Sequence, residues 1–593
     1  MFNFSFAPEF YFLISIFPEL SILSLVLILI FIAVSTIPSK KNLLLSSFLN
    51  TSIVFYMVLM CYFFSLLHTN LFPAHLTIFF CYNTLKLSYL LIIIKLVLAF
   101  FALSALVMVK RYFMLYQLNN YEYPLFISLA TLSMFVAISA NNWIILFLAL
   151  ELQALCFLVL FAWNRRSEKS INASLKFTVI NFLASTFLLI SFVEIILYTQ
   201  SLNMYLANPF FFAKTIFLDL YSTTPSIYTP DFIAWQLKKM YFLLDYQYSL
   251  DLRNVFFNLD SLTPKNIFFI LLQLLEQPIN LLNYINNHHQ FNYNPFWSFV
   301  GFLLVLSFAM KLGLVPFGFW LQDLYMGVPL PTLTFFSTAP KLTYITVLLS
   351  LYINIFAFIN PQSFLTPLVV LGSLSMIVAN VIMFTIQNNL LILLAWSSIA
   401  NMGLLFFLMG KYPLGSYSFI YILYYTFSTF LFFLLLQYFI IKDSNNLVRH
   451  PIYFSDLSVV RYHVAYKSIF ILIVFLLLNF FAIPPLVGFW MKFAAIQGIL
   501  LAVGGFSELL FLTSLLFITL IGGFSYLRVL YSLVTENTNL NLQLVYWPNS
   551  QKDYLIVLVG FVFFQILIFF TGSSLNQIFQ TNFLLMQHIL IIS

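Results

Sequence analysis

Charge is what this sequence has least of. Only 7% of its 593 residues are Asp, Glu, Lys or Arg, against roughly a quarter in soluble domains. By contrast 62% are hydrophobic, and the mean hydropathy is +1.00. That scarcity excludes a string of water-soluble domains. Cysteine is nearly missing too: Cys61, Cys81 and Cys156 lie in or near apolar runs at no metal-ligand spacing. They read as small buried hydrophobes, not as a metal or iron–sulfur cluster. No Gly-rich dinucleotide fingerprint follows a strand and no haem motif occurs, so no redox cofactor is expected on this chain. Met1–Phe12 has neither a basic n-region nor a small-residue cleavage site, so no signal peptide is expected.

What the sequence does have is apolar runs of about 20 residues or more, long enough to cross a bilayer as helices and too continuous for barrel strands. Lipid tolerates only helices or closed barrels. The expected fold is therefore an all-α polytopic bundle. Runs begin near residues 10, 44, 83, 124, 142, 171, 297, 332, 364, 389, 416, 468, 507 and 553, about fourteen helices. The joints at Ala140–Asn142 and Gln387–Asn389 are so short that the helices they join must be antiparallel neighbours. With 75 Phe and 34 Tyr, the composition points to an AT-rich genome such as an organelle's.

Net charge is +7, but its placement is what orients the bundle. Loops after odd-numbered helices carry Lys40, Lys41, Lys110, Arg111, Arg165, Arg166, Lys169, Lys442, Arg449, Arg461, Lys467 and Lys552; short loops after even-numbered helices carry little beyond Lys411. The first set is expected on the matrix or cytoplasmic side, with both termini opposite. Residues 200–296 break the rhythm, mixing short apolar stretches with Asp219, Lys238, Lys239, Asp251 and Arg253. An insertion with amphipathic surface helices is expected there, on the side of the termini.

Few charges remain inside the apolar runs, and a lysine at membrane depth costs about 2.5–3.5 kcal/mol by insertion scales. Lys86, Arg528, Glu19 and Glu508 stand near helix ends and are expected to snorkel outward. Lys95 and Glu194 lie deeper, without a motif. Glu151 falls mid-helix, and Lys311 and Lys341 are as deep. Burial disfavours the charged form of an ammonium or a carboxylate, and an opposite charge restores it. Making and breaking one Glu–Lys contact can therefore load and unload a proton; the bland reading is a static buried ion pair, seldom a net stabiliser.

Proline marks a second feature. Pro316 follows Lys311, and Pro484 and Pro485 precede Lys492. Each proline frees a backbone carbonyl, and broken helices at mid-membrane are where transporters place ion sites, often in two related halves. The text Pro316-Phe-Gly-Phe-Trp320 echoes Pro485-Leu-Val-Gly-Phe-Trp490.

At these residues the sequence resembles a known family. Glu151-Leu-Gln-Ala-Leu-Cys-Phe157, Ala173-Ser-Leu-Lys176, Lys311 through Pro331, Phe336-Ser-Thr-Ala-Pro340-Lys341, Leu394 through Gly403 and Ile483 through Phe493 are similar to NADH dehydrogenase subunit 2 of mitochondrial respiratory complex I, an antiporter-like subunit. The likeness covers most of 10–575 outside the insertion. Lys492 sets it apart from subunit 4, which typically has Glu there; Phe335–Pro340 lacks the His usual in subunits 4 and 5.

The resemblance implies fourteen helices: an N-terminal segment 1–123, two inverted five-helix repeats over 124–359 and 364–534, and a C-terminal helix and tail over 535–593. It implies proton pumping coupled to NADH:ubiquinone oxidoreduction in the mitochondrial inner membrane. Glu151 and Lys311 would form the first charge pair, Lys176 and Lys341 would relay towards the centre, and Lys492 would serve the exit. NADH, FMN, iron–sulfur clusters and ubiquinone are expected on other subunits. Expected partners are other membrane-arm subunits, neighbouring antiporter-like ones included, and lipids such as cardiolipin. No nucleic acid is expected; the insertion is a candidate site for accessory subunits. Two positions depart from the family: Asn172 stands where relatives often have Glu beside the Lys176 position, and Asn401 where they often have His. Asp456 or His463 is a candidate substitute for that His. A stand-alone cation/proton antiporter and a scaffold with an inactive channel are the competing expectations.

Overall fold

The structure, a computed structural model, describes residues 8–35, 41–68, 78–80, 84–116, 122–164, 167–199, 204, 295–356, 361–411, 416–438, 441–442, 448–457, 467–484, 486–490, 492–493, 506–535 and 543–544. The run expected from 553 lies outside them, as does nearly all of the 200–296 insertion. In chain order the described helices are α1 (Pro8–Ser35), α2 (Lys41–His68), α3 (Tyr89–Tyr116), α4 (Tyr123–Ser139), α5 (Trp143–Phe161), α6 (Glu168–Thr199), α7 (Pro295–Leu312), α8 (Phe319–Gly327), α9 (Leu330–Leu351), α10 (Pro361–Thr385), α11 (Leu390–Lys411), α12 (Ser416–Tyr438), α13 (Lys467–Phe481) and α14 (Phe506–Thr535). Each of the first thirteen expected runs has its helix. Among the described residues ten helices are long and apolar enough to cross a membrane, and three shorter apolar ones accompany them. This is a multi-pass membrane protein.

Short strands accompany the expected helical bundle. A hairpin of β1 (Ile78–Phe80) and β2 (Leu85–Leu87) precedes α3, and β3 (Ile441–Lys442) pairs antiparallel with both β4 (Val448–Arg449) and β5 (Gln543–Leu544). Segments next to these strands hydrogen-bond to the short joints. Asn141 donates its amide to the Thr84 carbonyl and accepts at its own carbonyl from Met204, both at 2.7 Å. At the second joint, Leu390 donates to Ile452 at 2.9 Å and Phe454 to Asn388 at 3.0 Å. Backbone groups that so short a joint leaves without helical partners are thereby satisfied.

The bundle centres on α9. Every residue of α9 is buried except Ser350. It is also rich in hydroxyls, which a dry environment tolerates because they bond back into the helix: Thr334 to Pro331 (2.7 Å), Thr338 to Thr334 (2.9 Å) and Thr343 to Pro340 (2.7 Å). Elsewhere in the bundle, α10 and α11 meet backbone to backbone. A Cβ on Gly403 would sit 2.9 Å from the Gly372 carbonyl oxygen, so only small residues permit this crossing.

Candidate functional site: a charge pair at a broken helix

Asn142 starts α5 by accepting the Ile144 amide at 2.9 Å, and Glu151 follows two turns later in mid-helix. α7 runs up to Leu312 and stops. Gly313 adopts φ +72°, and the Leu314 amide reaches back to the Ala309 carbonyl at 2.8 Å, closing the helix with a left-handed cap. The chain passes the cis Val315–Pro316 bond and restarts as α8 at Phe319. The helix break expected at Pro316 is there.

Lys311 lies in the last turn of α7, where unsatisfied carbonyls and the negative end of the helix dipole favour a cation. Its Nζ donates to Glu151 Oε1 at 3.1 Å; the lysine side chain is 1% exposed and the glutamate 21%. The structure brings together the two residues that the sequence paired.

A third residue completes the site. Asn181 of α6 accepts from Lys311 Nζ at 3.3 Å and donates its amide to Glu151 Oε2 at 3.5 Å. It bridges cation and anion, so either partner keeps a hydrogen bond when the pair opens. Sequence reasoning missed it because it carries no charge. The available signal was a lone amide within Val179-Ile180-Asn181-Phe182. Gln153, one turn-half beyond Glu151, donates to Thr343 of α9 at 3.4 Å, and Tyr344 lies close to Glu151. One polar contact thus joins α5 to α9, two residues from Lys341.

Lys341 follows Pro340 within α9 and is 3% exposed. Its Nζ has no hydrogen-bond partner among the described residues and lies 5.3 Å from the Tyr425 ring centre. Lys176 is elsewhere. It pairs with Asp323 of α8 at 2.5 Å, and the two side chains are 56% and 36% exposed. With Asn172 in place of the family's usual Glu, the partner of Lys176 comes from mid-α8 instead. The structure does not place Lys176 against Lys341.

The second break repeats the first in backbone. α13 ends at Phe481, Ala482 takes φ +72°, and the Ile483 amide reaches the Leu478 carbonyl at 3.4 Å before Pro484. Pro485 lies outside the described residues. Lys492 Nζ donates to the Phe480 carbonyl at 3.0 Å, a group the break leaves free. Asn479 Oδ1 accepts the Gly488 amide at 2.7 Å, tying the restarted chain to the stub.

The remaining charges amend the sequence reading. Glu19 does not snorkel: it is 8% exposed inside α1 and pairs with Lys95 of α3. Arg528 donates to the Phe384 and Ile386 carbonyls at 2.9 and 3.0 Å, capping the end of α10. Asp456 accepts the Ile452 and Tyr453 amides, both at 2.9 Å, which gives its carboxylate a structural role. His463 lies outside the described residues. Lys86 sits on β2 outside the spans, where burial pushes its ammonium down to about 8. Among the described residues no cluster of His, Cys, Asp and Glu could hold a metal.

Comparison with known proteins decides the family. The model of the NADH:quinone oxidoreductase/Mrp antiporter transmembrane family matches residues 140–217 and 268–522, more than half of the chain. The chain belongs to this family. A subunit N 2 of the NADH-quinone oxidoreductase of Thermodesulfovibrio yellowstonii is 31% identical over 236 residues, 40% of this chain and 48% of that protein. The corresponding subunit of Hydrogenobaculum sp. is 30% identical over 300 residues, 49% of this chain and 59% of the relative. The chain thus spans about half the length of the curated relatives it matches. These relatives are bacterial subunit N proteins, whereas the sequence reading named a mitochondrial subunit. Among solved structures, a chain of respiratory complex I from Thermus thermophilus superposes with a TM-score of 0.63 at 17% identity, covering 94% of this chain and 98% of that one. A chain of the Mrp complex from Dietzia sp. gives 0.59 at 15% identity, covering 89% and 81%. These likenesses establish the antiporter-like fold.

Proposed function

We propose that this family member is a proton-translocating membrane-arm subunit of a respiratory NADH:quinone oxidoreductase. The observation that carries the reading is the triad of Glu151, Lys311 and Asn181 at the end of a broken helix. At 3.1 Å and an effective dielectric of about 20, the ion-pair attraction is about 5 kcal/mol. Opening and closing the pair is therefore enough to decide where a proton rests, and Asn181 lowers the cost of the open state. Lys341 receives the proton on the central helix, and Lys492 releases it at the second break. Lys176, held outward by Asp323, acts at the periphery and not as a central link.

Electron transfer belongs to other subunits of the assembly, which would hold NADH, FMN, iron–sulfur clusters and quinone; this chain supplies the membrane path. Its partners would be further membrane-arm subunits and anionic lipids, with the 200–296 insertion free to dock accessory subunits. On its Phe- and Tyr-rich composition we place it in the mitochondrial inner membrane as the subunit 2 counterpart, with both termini facing the intermembrane space. The kinship with an Mrp complex favours a second reading as a cation/proton antiporter.

The test is NADH-driven proton uptake by membrane vesicles carrying the assembled complex. Glu151→Gln and Lys311→Ala are expected to cut uptake several-fold while the complex still assembles. Unchanged uptake in either assembled variant would falsify the reading, and sodium-dependent exchange by the isolated chain would replace it with the antiporter.

A further inference from the structure

Three tyrosines stand between Lys341 and the second break. Tyr421, Tyr424 and Tyr425 are spaced i, i+3 and i+4 along α12, so they share one face of the helix. All are buried, at 2%, 6% and 2% exposure. Tyr425 places its ring 5.3 Å from Lys341 Nζ. Tyr424 lies at the other end, in the second break: its hydroxyl is 2.7 Å from where a Cβ on Gly488 would stand, beside Asn479 Oδ1 at 2.8 Å. The next residue, Phe480, offers the carbonyl that holds Lys492. One turn earlier on the same face, the Tyr421 hydroxyl donates to Asn401 Oδ1 at 2.8 Å. Ser398 lies beside Tyr425, and Ser397 beside Tyr526.

Four buried polar groups along this line make no well-formed hydrogen bond among the described residues: Lys341 Nζ, the Tyr424 and Tyr425 hydroxyls, which have Asn479, Ser428 and Ser398 as polar neighbours, and Asn479 Nδ2. A buried polar group left unsatisfied costs about 1–3 kcal/mol. Native interiors avoid that cost by bonding such groups to protein or to ordered water, which needs two to four polar neighbours. One isolated orphan would be unremarkable. Four in one neighbourhood, together with serine hydroxyls and amide oxygens, form a lining suited to several waters.

We propose that Tyr421, Tyr424 and Tyr425 hold a water-filled corridor that carries the proton from Lys341 to Lys492, replacing a titratable side chain at position 401. The inference rests on the pumping function proposed above. Lys341 gives one proton to the adjacent water as its ammonium becomes an amine. Each water or hydroxyl along the corridor accepts one proton and passes one on. One proton arrives on the Lys492 amine. Every tyrosine ends as protonated as it began, and no electron moves. Asn401, an amide, fixes Tyr421 in place and takes no proton.

The test is the pair Tyr424→Phe/Tyr425→Phe in the assembled complex, which removes two oxygens and keeps both rings in place. Proton uptake by vesicles is expected to fall several-fold. Asn401→His in that double variant is expected to restore much of the loss, because an imidazole beside Tyr421 supplies the missing titratable group; a merely structural role for the hydroxyls would show no such rescue. Where the double variant does not assemble, the two single variants are read in the same way. If Glu151→Gln stops uptake but the tyrosine variants pump at the unaltered rate, the corridor is wrong and the pumping function stands. If all of them pump normally, the pumping function falls and the corridor with it.

Discussion

The two helix breaks use one backbone device with different electrostatics. Each half-helix ends in a residue at φ +72°, Gly313 in one and Ala482 in the other, and each closes with an amide reaching five residues back. Each restarts with a glycine pressed against the stub: a Cβ on Gly318 would lie 2.6 Å from the Gly313 oxygen, and one on Gly488 2.0 Å from the Asn479 oxygen. Each also sets an ammonium at the negative end of the half-helix. The first ammonium belongs to the stub itself and faces a carboxylate and an amide. The second reaches back from beyond the break to a carbonyl, and among the described residues no carboxylate pairs with it. The first break thus holds its ammonium against a carboxylate, whereas among the described residues the second holds its own against a backbone carbonyl.

By that contrast, removing one partner should hurt the first break most. Glu151→Ala leaves Lys311 buried without its counter-charge, and stranding one member of a buried pair costs about 3–5 kcal/mol. The expected result is a clear drop in the thermal midpoint of the extracted protein together with loss of proton uptake. Glu151→Ala with Lys311→Met should recover much of the stability and none of the uptake, since no lone charge remains. A double variant less stable than both singles would show that the pair is structural glue.

The second break should respond more weakly. Lys492→Met removes one hydrogen bond and leaves the Phe480 carbonyl unsatisfied, a loss of about 1–3 kcal/mol. No counter-charge is stranded. Uptake is nevertheless expected to fall as far as in Lys311→Ala, since a proton has no exit without it. A midpoint drop equal to that of Glu151→Ala would mean that an unrecognised anion faces Lys492.

Which parts of this comparison the sequence disclosed follows from the kind of signal each leaves. Glu151 and Lys311 stood out because a charge inside an apolar run is rare and costly. The helices were legible for the same reason in reverse, as long unbroken apolarity. Asn181 carries no charge and α8 spans nine residues, so neither rises above the background of the run around it. The Glu19–Lys95 pair joins α1 to α3 and Lys176–Asp323 joins α6 to α8; such contacts between distant segments depend on packing, which residue order alone does not contain. The β1–β2 hairpin, which hydrogen-bonds to a short joint, has strands of only three residues.

The subtlest difference between the breaks is the capping residue. Gly313→Ala should destabilise the first, because an L side chain in the left-handed region costs about 1–2 kcal/mol and its Cβ would also lie 2.5 Å from Leu321 Cδ1. The second already carries that strain at Ala482. Ala482→Gly relieves about 1–2 kcal/mol in the folded state, while the freer glycine stabilises the unfolded chain by about 0.5–1 kcal/mol. The two nearly cancel, leaving a small net gain. The expected outcome is therefore a thermal midpoint that holds or rises slightly for Ala482→Gly and falls for Gly313→Ala, with the same substitution site serving opposite signs in the two halves. A clear fall in Ala482→Gly would mean that the Ala482 methyl packs against something worth more than the strain, and the two breaks would then differ in backbone design as well as in charge.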